Sequence, residues 1–123
     1  MAFLTDRKRA MGLGSAKSGS AHHWSMTVSS VALLVLLPPF VFTFGAALGG
    51  TYEEIVAYYA RPFPAIIAAL TILVSFKHFN DGVRTLLEDY VHGLAQKLSI
   101  LVMTCISYGA AAVGIFAIAR LAL

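Results

Sequence analysis

Three long apolar stretches, at about residues 26–48, 63–88 and 98–121, leave this chain few ways to fold. A bilayer's hydrocarbon core takes about 20 mostly apolar residues per helix, and each stretch is long enough to cross it. Inside lipid no water satisfies a backbone amide, so a spanning segment closes its own hydrogen bonds as a helix. The expected fold is therefore all-α and integral to the membrane, with three transmembrane helices in residues 25–123 behind an N-terminal arm over residues 1–24. Composition agrees, since 59% hydrophobic and 12% charged residues in 123 leave little for a water-soluble domain. Pro38 and Pro39 lie inside the first stretch. Neighbouring helices and hydroxyls can satisfy the carbonyls they free, so a kink is expected rather than a break.

Several function classes are excluded early. The net charge of +3 is small and its basic residues gather at the N-terminus rather than along an aromatic-lined face, which argues against nucleic-acid binding. Cys105 is the single cysteine, so this chain alone houses no disulfide, iron-sulfur cluster or thiolate zinc site. It reads as a small buried apolar residue. The first stretch is long and lacks a small-residue cleavage site, which makes it a retained helix rather than a removed signal peptide.

Orientation follows from Lys and Arg near the span ends, which stay on the cytoplasmic side. Arg7, Lys8, Arg9 and Lys17 precede the first stretch, and Arg84 and Lys97 flank the connection at 88–97. The first loop, 49–62, carries only Arg61 beside Glu53 and Glu54, with Tyr52, Tyr58 and Tyr59 suited to an interface. The N-terminus is expected in the cytoplasm and the C-terminus outside. Small residues in the third stretch, Ser107, Gly109 to Ala112 and Gly114, would let helices approach closely.

Ionisable side chains inside a membrane helix are costly and face an interior, a cavity or a ligand, which directs attention to K-H-F-N-D-G-V-R-T-L-L-E-D-Y at 77–90. At 3.6 residues per turn His78, Gly82, Thr85 and Asp89 fall on one stripe. A neutral imidazole is a good iron ligand, and a glycine one turn on makes room for a flat macrocycle. The pattern alone also fits a hydrogen-bonded or interfacial histidine. Lys77 with Asp81, and Arg84 with Glu88, are spaced as structural ion pairs. Tyr90 and Asp89 sit where the helix should leave the inner face, as an interfacial anchor or as a quinone contact with proton exchange. His22, His23 and Trp24 read as an interfacial belt.

Taken together, G-L-G-S-A-K-S-G-S-A-H-H-W at 12–24, L-L-P-P-F at 36–40, H-x-x-x-G at 78–82 and E-D-Y-V-H at 88–92 resemble the hydrophobic membrane anchor subunit of bacterial succinate dehydrogenase. The likeness spans nearly the whole chain. Its most specific element is a histidine eleven residues before an Asp-Tyr pair, here His78 and Asp89-Tyr90. The resemblance implies that His78 is an axial ligand of haem b, with Gly82 packed on it and the second ligand on a cytochrome b-type companion subunit. It implies Tyr90 and Asp89 at the ubiquinone site, and FAD and iron-sulfur clusters on flavoprotein and iron-sulfur partner subunits at the bacterial inner membrane. The chain itself would be non-catalytic toward succinate. Many family members carry an arginine after the His-x-Trp element, but S-M-T-V-S-S at 25–30 has none, which leaves the haem propionates to His22, His23 or the partner chain. Lys77 would have to point away from the haem face or snorkel to the interface. A small transporter or channel component, or a haem-free assembly subunit, is the competing reading.

Overall fold

A computed structural model describes residues 3–14 and 19–123, and these form five helices: α1 (Asp6–Met11), α2 (Gly19–Ala47), α3 (Tyr52–Tyr59), α4 (Pro62–Tyr90) and α5 (Gly93–Ala122). Three of them, α2, α4 and α5, are long and apolar enough to cross a membrane. At about 1.5 Å per residue each is roughly 44 Å long, so it overshoots a hydrocarbon core of about 30 Å by some turns. The chain is all-helical among the described residues, as its apolar runs require.

The helices run past the apolar stretches because their ends find polar partners. α2 starts at Gly19, which places His22, His23 and Trp24 inside a helix and not in an extended arm. The arm itself holds α1, where the Thr5 hydroxyl accepts from Lys8 N at 3.3 Å; Lys17, with its neighbours at 15–18, lies outside the described residues. α2 continues unbroken through Pro38 and Pro39. The Thr43 hydroxyl donates to the carbonyls of Pro39 and Phe40, within the turn that follows the two prolines.

Two connections are tighter than expected. The first loop contains α3, closed by a capping box in which Thr51 N donates to Glu54 Oε2 at 2.8 Å and Glu54 N to Thr51 Oγ1 at 3.4 Å. Between α4 and α5 only Val91 and His92 remain outside a helix, where a ten-residue connection was expected. Gly93 at φ +70° takes the sharp reversal that a side chain would resist, and Gln96 Nε2 donates to Glu88 O at 3.2 Å across it.

Packing uses small side chains. Ala65, Ala68, Thr71, Ser107 and Ala111 are buried between α4 and α5 and their neighbours, as are Ser29 and Thr43 on α2. Ser107 donates to Met103 O of its own helix at 2.7 Å, which satisfies its hydroxyl without a partner across the interface. A Cβ on Gly114 would lie 3.1 Å from Ile72 Cγ2, so α4 and α5 meet there closely. Most large apolar residues point outward, as suits a chain whose solvent is lipid and other membrane helices. Cys105 is among the outward residues, which corrects its expected burial.

Candidate functional site

The polar stripe of α4 faces α2, and the two helices meet along a polar seam. α2 contributes His22, Ser25 and Ser29, spaced by three and four residues, and α4 runs antiparallel with Thr85, Asp81 and His78. From the α2 start inward, His22 Nε2 lies 3.1 Å from Thr85 Oγ1, Ser25 Oγ donates to Asp81 Oδ2 at 3.1 Å, and Ser29 Oγ lies 3.0 Å from His78 Nδ1. Met26 fills the space between the last two rungs, its terminal methyl 3.6 Å from where a Cβ on Gly82 would stand. Each rung joins polar groups that would be costly alone in lipid.

Lys77 belongs to this seam and does not snorkel away from it. Its ammonium donates to Asp81 Oδ2 at 2.6 Å and to the Ser25 hydroxyl. The Asp81 side chain is 16% exposed and that of Lys77 42%, so the carboxylate is the more dependent partner. Arg84 and Glu88 form the other expected pair, Nε to Oε1 at 2.8 Å, on an exposed face. With Gly19 and His22 they line an open recess of about 340 Å³ at the start of α2.

Depth separates His78 from the acid-phenol pair. His78 lies twelve residues before the end of α4, about 18 Å along the axis, and so well inside a hydrocarbon layer centred on the helix. Asp89 and Tyr90 occupy the last positions of α4, beyond that layer, and both are exposed, Tyr90 by 78%. The helical period does point Asp89 along the stripe, but among the described residues nothing of α2 covers it, and it stands exposed. His23 is also exposed, and its carbonyl accepts from Thr27 Oγ1 at 3.0 Å. The structure thus joins His22, Gly82 and His78 in one seam and leaves His23, Asp89 and Tyr90 on outer surfaces.

Ser25 and Ser29 were not singled out from sequence as site residues. The signal was present: imidazole and hydroxyls at 22, 25 and 29 repeat with helical period in an otherwise apolar helix.

The donor set can be tested against metals. Among the described residues no three His, Cys, Asp or Glu side chains come together. A bare ion would therefore lack a coordination shell from this chain, whereas one imidazole suffices for a metal already held by a macrocycle. Among the described residues nothing hydrogen-bonds His78 Nε2. The residues present fit an axial haem ligand.

A family model for the succinate dehydrogenase/fumarate reductase transmembrane subunit matches residues 2–118. The chain is 43% identical over 123 residues to the succinate dehydrogenase hydrophobic membrane anchor subunit of Paracoccus denitrificans, covering 100% of this chain and 95% of that one. It is 30% identical over 104 residues to the subunit of the same name from Rickettsia conorii, covering 81% and 82% of the two chains. The Rickettsia bellii counterpart is 30% identical over 90 residues, covering 72% and 71%. No solved structure matches the chain.

Proposed function

We infer a role from membership: this chain belongs to the succinate dehydrogenase/fumarate reductase transmembrane subunit family, as a non-catalytic membrane anchor of succinate dehydrogenase, and in that setting His78 binds haem b. The observation that carries the reading is an imidazole deep in the membrane layer, tied at Nδ1 to a buried serine and with no partner for Nε2 among the described residues. When bound, haem b supplies a one-electron redox centre. His78 would hold the haem from this chain's side, and a cytochrome b-type partner subunit would supply the second ligand. His22, on the same seam and nearer the recess, offers a propionate contact, with the exposed His23 beside it.

Tyr90 and Asp89 form part of the ubiquinone site. Their exposure at the end of α4 supports this, because a quinone pocket shared with an iron-sulfur subunit needs groups that face outward from the bundle. The Tyr90 hydroxyl donates to a quinone carbonyl, and Asp89 holds a proton beside it. Succinate is oxidised on flavoprotein and iron-sulfur partners, and this chain anchors them at the bacterial inner membrane. Its N-terminus is cytoplasmic and its C-terminus periplasmic, an orientation supported by Arg7, Lys8, Arg9 and Lys17 in the N-terminal arm and Arg84 and Lys97 around the second connection against Arg61 alone in the first loop.

The test is His78→Ala in the assembled complex. The reduced-minus-oxidised b-type spectrum should be lost or strongly weakened, while succinate oxidation by soluble artificial acceptors persists. An unchanged spectrum would remove His78 as ligand.

A further inference from the structure

Ser29 is 3% exposed at the α2–α4 contact, and its hydroxyl touches two groups at once: Met26 O at 2.9 Å and His78 Nδ1 at 3.0 Å. A hydroxyl has a single hydrogen. A carbonyl oxygen can only accept, so the 2.9 Å contact is a bond only with the Ser29 hydrogen directed to Met26 O. That leaves a lone pair of Ser29 Oγ toward His78. The short contact to Nδ1 is then a bond only if Nδ1 carries the ring hydrogen and donates it. In a neutral imidazole with Nδ1 protonated, Nε2 keeps its lone pair.

The reverse arrangement fails at both ends. With Nε2 protonated, Ser29 would turn its hydrogen to Nδ1, stranding the contact to Met26 O. It would also leave an N–H donor inside the membrane with no acceptor for it among the described residues. Met26 O also accepts from the Ser30 hydroxyl at 2.9 Å, so the unpartnered Nε2–H is the larger of the two costs.

We propose that Ser29 is a positioning residue that fixes the tautomer and ring orientation of His78, presenting an Nε2 lone pair to the haem iron. This rests on the haem reading above and adds a residue from the other helix to it. A ligating histidine whose second nitrogen donates to an oxygen is held in place and made more basic, which favours the ferric state; losing such a partner typically weakens metal binding by about 10–100-fold.

The experiment uses the purified complex in mild detergent with Ser29→Ala, Ser29→Cys and Ser29→Thr. The haem b midpoint potential is read by redox titration, and haem loss by transfer to excess apomyoglobin. Ser29→Ala should raise the midpoint and speed haem loss about tenfold or more. Ser29→Cys, with a weak sulfur acceptor of similar size, should shift both in the same direction by less. Ser29→Thr, which keeps the hydroxyl, should match the wild type. Ala and Cys variants with wild-type midpoint and haem retention, or an Ala variant with a lowered midpoint, would overturn the positioning role. A His78→Ala complex that keeps its b-type spectrum would instead overturn the haem reading itself, whatever Ser29 does.

Discussion

Lys77 and Asp81 give the sharpest energetic test of the seam, because their burial is unequal. The ammonium and carboxylate are 2.6 Å apart, which at an effective dielectric constant of about 20 is roughly 6 kcal/mol of gross attraction. Most of that offsets desolvation, and what a substitution reveals is the cost of the charge left behind. In Lys77→Met the Asp81 carboxylate, 16% exposed, keeps only the Ser25 hydroxyl, and the expected loss is about 3 kcal/mol. In Asp81→Asn the lysine is 42% exposed, retains Ser25 and an amide oxygen, and can swing outward, so the expected loss is about 1 kcal/mol. The double variant Lys77→Met/Asp81→Asn leaves no charge and should cost about 2 kcal/mol, a coupling of about 2 kcal/mol. The measurement is equilibrium separation of α2 from α4 in mixed micelles as the SDS fraction rises, followed by energy transfer between labels on Val28→Cys and Leu86→Cys in a Cys105→Ser background; both label positions are exposed. Single costs that add within about 0.5 kcal/mol, or an Asp81 variant weaker than the Lys77 variant, would refute the reasoning.

Three further outcomes follow from other parts of the chain. Gly114→Val places a Cβ 3.1 Å from Ile72 Cγ2 and should loosen α5 from α4 by about 1–3 kcal/mol in the same titration, with partial recovery when Ile72→Ala makes room; no loss would mean the helices can slide apart freely. Thr51→Ala removes one arm of the capping box and should cost about 1 kcal/mol locally, seen as faster amide exchange in Tyr52–Tyr59 with α2 and α4 unchanged. Tyr90→Phe should lower ubiquinone reduction more than haem content, since the phenol is exposed and far from His78 along α4; equal effects on both, or none on either, would return Tyr90 to an interfacial anchor.

What the sequence disclosed and what it hid divide along physical lines. Apolar length is written directly in composition, so the three spans, the all-helical class and the two ion pairs could be read from residues alone. Helix ends could not be read that way, because hydropathy marks where lipid is and says little about where backbone hydrogen bonding stops. α2 begins seven residues before its apolar run because His22 and Ser25 find Thr85 and Asp81 on the antiparallel neighbour, and such pairing exists only once two helices are side by side. Thr51 and Glu54 are the exception: a Thr-x-x-Glu box before Ile55 and Val56 is a local signal, legible without tertiary structure.

The same distinction explains the site. A period of 3.6 places Asp89 on the stripe with His78, and the period is correct, but a stripe becomes an interface only as far as the opposing helix extends. Among the described residues α2 reaches His78, Asp81 and Thr85 and no further along α4, and Asp89 and Tyr90 stand exposed. One helix thereby carries two polar groups at two depths: a half-buried imidazole held against α2, and an exposed acid-phenol pair about 16–18 Å further along, at the end of α4. The half-buried group should respond to changes on α2, above all at Ser29, while the outer pair should respond to its partner subunit. A Ser29 variant that impaired ubiquinone reduction without touching the haem would contradict that separation.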